Sequence, residues 1–261
     1  MPNFFNSLKQ AWPSRRTPSE DTREERTVTE TQPDAAQRRP TKLSALQMIV
    51  ELGIPVGTVI DVGVLSQTSE LIRCFPDKKH ALFEPVPDHE QAIRQAYKDL
   101  DYDLHQCAVS DQDGTSFLRL IRTDRQAVSH SQLADTEGED CISVEQHKLD
   151  TIIPAHSYAA PFLLKIDVDG KDIEVLKGCR EVLPQCSCVV VEATVPRIGP
   201  TLSLLSRQGF FLWDIVDLCY SHGTLWQVDL VFLPKKYQAE YSMKSPKEPA
   251  TSHHSPWQPI F

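Results

Sequence analysis

Thr58-Val59-Ile60-Asp61-Val62-Gly63 decides the fold of this chain. Three β-branched residues run up to an aspartate, one more follows, and a glycine closes the run. Short apolar runs that stop at a turn residue have the pattern of a buried strand. Beyond it, Ser69 to Phe75 reads as a helix, His80 to Phe83 as a strand, His89 to Tyr97 as a helix and Asp103 to Val109 as a strand. Strands alternating with helices predict a parallel sheet with right-handed crossovers. Ligands of such sheets sit beyond the carboxyl ends of the strands, next to the first one. The expected site is therefore the stretch from Asp61 through Gly63, Val64, Leu65 and Gln67 to Thr68, where a glycine permits a tight turn and a close approach to backbone.

Upstream, Leu43, Ala45, Leu46, Met48, Ile49, Val50 and Leu52 form a broad helical stripe that stops at Gly53, a helix C-terminal signal. Residues 1–40 are rich in Arg, Glu, Thr, Ser, Pro and Gln and are expected to be a disordered tail. Downstream of the first half, Thr115 to Arg122 alternates like an extra strand, Asp124 to Glu139 reads as a polar loop and Cys141 to Leu149 as another extended piece. Phe162 to Val168 is a strand, Asp172 to Leu183 a helix, Ser187 to Ala193 a strand and Pro200 to Gln208 a helix. Phe210 to Ile215 and Val228 to Leu233 have only a loop between them, which predicts antiparallel neighbours at one edge. Residues 41–234 are thus expected to form one domain, with residues 235–261 as a second flexible tail.

The chain has 36 acidic and 27 basic residues, a formal charge of −9, which argues against a basic groove and hence against a nucleic-acid binder. Seven cysteines, an odd number without zinc-type spacing, read as reduced and intracellular. Strand alternation predicts Cys186 and Cys188 on one face. The sequence contains no apolar run long enough to span a bilayer and no secretory signal, so the expected compartment is the cytoplasm.

Three features carry chemistry. Asp61 is anionic at the ligand edge and suits an ammonium group better than a pyrophosphate. Glu84 ends the second strand 21 positions after Gly63 (84 − 63), in Ala81-Leu82-Phe83-Glu84-Pro85, and a carboxylate there can accept both hydroxyls of a ribose. Lys165, Asp167 and Asp169 share one face of an otherwise apolar strand, so they must be paired or lie at its open end. A structural Lys–Asp pair accounts for Lys165 as well as catalysis does.

In order along the chain, Asp61-Val62-Gly63, Phe83-Glu84-Pro85, Cys107-Ala108-Val109-Ser110-Asp111, Leu149-Asp150, Leu164-Lys165-Ile166-Asp167-Val168-Asp169-Gly170, Glu192 and Asp229-Leu230-Val231-Phe232 resemble the successive motifs of the FkbM-type S-adenosylmethionine-dependent methyltransferases. The resemblance implies a Rossmann-like class I methyltransferase fold, α/β, with a mostly parallel seven-stranded sheet and an antiparallel edge strand. It implies S-adenosylmethionine as cofactor, with Asp61, Gly63 and the loop through Thr68 around its methionine part, Glu84 and Pro85 at the ribose, and Ala108 to Asp111 near adenine. Asp167 would face a small-molecule acceptor, a hydroxyl of a sugar or other metabolite, and is the first candidate base, ahead of Glu192 and His222. Val64, Leu65, Ser66 and Gln67 stand where the family has small residues and a second glycine. That departure supports the alternative reading, a non-catalytic methyltransferase-like binding protein.

Overall fold

The computed structural model describes residues 39–122, 128–134, 138 and 141–241. The tail expectations for residues 1–38 and 242–261 lie outside the described residues, as does most of the connection on either side of residues 128–134.

The main sheet is built from β1 (Thr58–Val62), β2 (Lys79–Phe83), β3 (Tyr102–His105), β8 (Phe162–Ile166), β9 (Cys186–Thr194), β10 (Phe210–Ser221) and β11 (Thr224–Pro234). Their order is β10-β11-β9-β8-β1-β2-β3. The five strands from β9 to β3 are parallel, while β11 runs antiparallel to both β9 and β10. The reversed strand is therefore one place in from the edge, because β10 folds back beside it. All five residues of β1 and of β8 are buried, as a strand covered on both faces requires.

One face of the sheet packs against α4 (Leu149–Ala155), α5 (Asp172–Lys177) and α6 (Val195–Arg207), through Ile153, Leu176 and Leu205. The other packs against α1 (Lys42–Glu51) and α2 (Ser69–Cys74) through Leu46, Ile49 and Leu71, joined by α7 (Lys236–Glu240) through Tyr237. A third helix on the flank, α3 (Glu90–Ala96), buries Ile93 against Val64 and Leu82. Thr41 starts α1 with a reciprocal cap, its Oγ1 accepting from Ser44 N at 3.2 Å, and Gly53 leaves it at φ 69°.

Several elements differ from the sequence expectation. The extended piece expected from Asp103 to Val109 splits at Gln106: β3 stays in the main sheet, and β4 (Ala108–Val109) joins β5 (Gly114–Arg122), β6 (Val128–Ala134) and β7 (Cys141–His147) in a second sheet of order β4-β7-β5-β6. The polar stretch expected as a loop contains β6, which pairs antiparallel with β5. Its sequence, Val-Ser-His-Ser-Gln-Leu-Ala, lacks an apolar period; backbone pairing with an open edge makes it a strand. The loop expected between Ile215 and Val228 is a hairpin whose turn is only His222-Gly223, at φ 50° and 77°. Positive φ at both central residues matches the twist of a two-residue hairpin. Past Pro234 the chain continues into α7.

Cys186 and Cys188 lie on opposite faces, Cys186 with Val189 and Val191, Cys188 with Val190. The register of β9 against β8 shifts between Phe162 and Leu163, and Ser187 spends its hydroxyl on Phe162 O at 3.2 Å. One extra residue in a strand reverses which face each neighbour takes.

Candidate active site

The carboxyl ends of β1, β2, β8 and β9 rim a cavity of about 320 Å³. Its wall includes Gly63, Val64, Leu65, Gln67 and Thr68 from the turn after β1, Glu84 and Pro85 after β2, Ala108 in β4, Lys165 and Asp167 at the end of β8, and Glu192 in β9. The topology thus gathers nearly every residue singled out in the sequence. Asp111 has no part in the lining, and neither does Asp61.

Asp61 is fully buried beneath the cavity. Lys165 Nζ lies 3.1 Å from Asp61 Oδ1 and 3.3 Å from Asp167 Oδ2, and donates to Gly63 O at 2.8 Å and Thr68 Oγ1 at 3.3 Å. Tyr97 donates its hydroxyl to Asp61 Oδ2 at 3.4 Å and accepts from Thr68 N at 3.2 Å. Burial works against the ammonium, but the two carboxylates outweigh it and hold Lys165 charged. Asp61 thereby holds Lys165 and, through Tyr97, the loop at Thr68. Lys165 thus stands between two carboxylates while it hydrogen-bonds Gly63 O and Thr68 Oγ1, a structural ion pair that shapes the turn.

Gly63 sits at φ 85°, and a Cβ there would overlap the Asp167 carbonyl oxygen. Asp167 N donates to Val62 O at 2.9 Å, so β1 and β8 stay in register into the loop and leave no room for a side chain. The glycine is demanded by the neighbouring strand before any ligand is considered.

Glu84 accepts from Leu65 N at 2.8 Å and from Val86 N at 2.9 Å, and is 5% exposed. Burial pushes its carboxyl up to about 7 despite both hydrogen bonds. It is an acceptor-rich group at the cavity wall, with Lys165 as the only cation among its principal influences.

Opposite it lies a second group of charges. Burial, with Asp167 and Asp229 close by, raises Glu192 to about 8, while a hydrogen bond joins Glu192 to Asp167. Burial also disfavours charge on Asp167, yet Lys165, Lys42 and that hydrogen bond hold it below the ordinary carboxylate range. The two carboxyls titrate as a pair, with Lys165 and Lys42 favouring charge on Asp167 and burial beside two aspartates disfavouring it on Glu192. Lys42 Nζ is 2.9 Å from Asp229 Oδ2, both side chains nearly buried. Lys42 lines the cavity and was not singled out from sequence, nor was Tyr97. A signal existed for Lys42: a cation in the first turn opposes the helix dipole and needs local anions. His222, at the hairpin turn, does not line the cavity. Among the described residues no group of three His, Cys, Asp or Glu side chains is arranged to hold a metal ion, and no helix is long and apolar enough to cross a membrane. All seven cysteines are free.

Strand order, the reversed penultimate strand and a cavity at the ends of β1 and β2 define a Rossmann-like class I methyltransferase fold. Residues 56–212 match the methyltransferase FkbM domain, and the chain belongs to that family, which makes it an S-adenosylmethionine-dependent methyltransferase by family. No match is found among curated proteins. Solved structures with a similar path include the precorrin-6y C5,15-methyltransferase of Geobacter metallireducens, at 13% identity over 74% of this chain and 87% of that one, TM-score 0.41. An rRNA methylase of Streptococcus thermophilus aligns at 8% identity over 73% and 93%, TM-score 0.44. The magnesium protoporphyrin IX methyltransferase of Synechocystis PCC 6803, solved with bound S-adenosylmethionine, aligns at 10% identity over 73% and 76%, TM-score 0.42.

The cavity's own chemistry fits that cofactor. Glu84 offers two acceptor oxygens in a buried setting, and Phe83, Ala108, Val109 and Leu118 give an apolar wall for a base. Asp167 and Glu192 place two carboxyl groups at the opposite end. Of the atypical loop residues, Val64 is buried against Ile93 and Tyr97, and Leu65 is 44% exposed.

Proposed function

We propose that the protein methylates a hydroxyl oxygen on a sugar or other small metabolite, with the Asp167–Glu192 pair as proton acceptor. The observation that carries this reading is that Asp167 and Glu192 come together in the cavity wall, at the ends of the paired strands β8 and β9. Glu84 would hold the ribose of S-adenosylmethionine and the wall at Ala108 its base, and the cofactor would supply an electrophilic methyl group. An alcohol attacking it must lose its proton as the new bond forms, so a base has to stand within hydrogen-bond reach. Asp167 alone is a weak base, because Lys165 stabilises its charge. Glu192, once it has released its own proton, is the stronger acceptor, and Asp167 beside it keeps that proton affinity high. Lys165 and Asp61 keep Asp167 in place, and the turn from Gly63 to Thr68 closes the wall behind the reacting groups.

The pH dependence of turnover tests this. With an alcohol acceptor found by screening S-adenosylhomocysteine release, kcat/KM is expected to rise through pH about 8 as Glu192 ionises. Glu192→Gln should abolish that rise and lower kcat by roughly 100-fold or more. A flat profile together with a fully active Glu192→Gln enzyme would remove the pair from the chemistry.

A further inference from the structure

Glu192 has two carboxylate neighbours, and only one of them faces the cavity. Asp167 lines it; Asp229 is the direct cross-strand partner of Glu192 in the β9–β11 pair and does not. A protonated Glu192 has one hydrogen to donate. Something must decide which neighbour receives it, since a cross-strand pair on one face brings Cβ atoms to about 5 Å. Lys42 does so by position. Its Nζ is 2.9 Å from Asp229 Oδ2, its own side chain is 12% exposed, and Asp229 is 5% exposed.

The aim of Lys42 is set by a clamp on its helix. Lys42 N donates to Asp217 Oδ1 at 3.1 Å, and Asp217 N donates back to Pro40 O at 2.9 Å. Asp217 holds φ at 48°, a left-handed conformation that a non-glycine residue adopts at some cost. Ala45, Leu46 and Ile49 then bury the next turns of α1 on the sheet. The first turn of the helix is pinned at the ligand edge, and the cation it carries there is the one the dipole disfavours. Both Lys42 and Asp229 fall outside residues 56–212, the span matched by the family.

We propose that Lys42 is a positioning residue: by occupying Asp229 it leaves Asp167, the neighbour that lines the cavity, as the partner of Glu192. The proposal rests on the reading of the Asp167–Glu192 pair as the proton acceptor. The charged groups that face Glu192 are Asp167 from the end of β8, Asp229 from β11 and Lys42 from α1, with Lys165 acting through Asp167.

The test is a carbon-13 NMR titration of the Glu192 side-chain carboxyl in the full-length, ligand-free protein. In the parent the midpoint is expected near 8. Lys42→Met removes a nearby positive charge and should raise it by about one pH unit, and Lys42→Arg should return it. Asp229→Asn removes a nearby negative charge and should lower it. Loosened packing cannot move the two variants in opposite directions while Arg restores the first. An unmoved midpoint in Lys42→Met, or a shift of the same sign in both variants, overturns the role of Lys42. A parent midpoint in the ordinary carboxylate range instead overturns the proton-acceptor reading.

Discussion

Replacing Glu84 with Gln separates what this residue does for the fold from what it does for the cofactor. The buried carboxyl titrates at about 7 against an ordinary 4.5, so charge on it at pH 8 costs the folded state. The difference corresponds to about 3 kcal/mol at 1.36 kcal/mol per pH unit. Because the folded value is raised, the stability is fully present below pH 4.5 and is lost as pH rises through 7. Glutamine keeps the shape without the charge, but its amide nitrogen must face one of the two donors, Leu65 N or Val86 N. That mismatch costs about 1 kcal/mol. At pH 8 the variant is therefore expected to be about 2 kcal/mol more stable than the parent, and near pH 5 the advantage should vanish. S-adenosylhomocysteine should bind roughly tenfold to a hundredfold more weakly, since hydrogen bonds to a charged acceptor contribute about 1.5–3 kcal/mol. Urea unfolding at both pH values and titration calorimetry at pH 8 measure the two effects. A variant that is destabilised equally at both pH values, or that binds the ligand as the parent does, would refute the reasoning.

Lys165→Met would leave Asp61 and Asp167 buried without their cation, and a loss of about 3–5 kcal/mol is expected in urea unfolding at pH 8. A loss below about 1 kcal/mol would mean that the ion pair has no structural weight. Gly63→Ala combines a left-handed backbone with overlap at the Asp167 carbonyl, so a loss of about 3 kcal/mol and a Tm lower by roughly 10 °C are expected by circular dichroism. An unchanged Tm would show that β1 and β8 can separate at that point without cost.

The framework of the fold was legible because β1, β8 and β9 are covered on both faces, and two-sided burial writes itself as runs such as Val189-Val190-Val191. The second sheet was not, because β6 is held by backbone pairing to β5 and carries no apolar period. The faces of Cys186 and Cys188 were lost for a related reason: period two holds only while no residue is inserted, and the shift beside Ser187 breaks it. The site divides in the same way. Gly63, Glu84 and Asp167 lie at or near the ends of adjacent parallel strands, where the rule for such sheets points, while Glu192 was singled out only through the family resemblance. Asp61 obeys that rule by position and escapes it by depth, since nothing in a strand-end motif says whether a carboxylate faces the ligand or the lysine below it. Tyr97, Lys42 and Asp229 come from other elements and meet the site only through packing. Yet Lys42 broke a local rule in plain view: a lysine directly after the Thr41 cap, in a first turn with no acidic residue, is where a helix least tolerates one. Local violations of this kind persist when the surroundings supply the missing partner, and they concentrate at functional sites. Here the partners were Asp217 and Asp229, more than 170 positions away in sequence, so the violation could be seen from the chain but its resolution only from the fold.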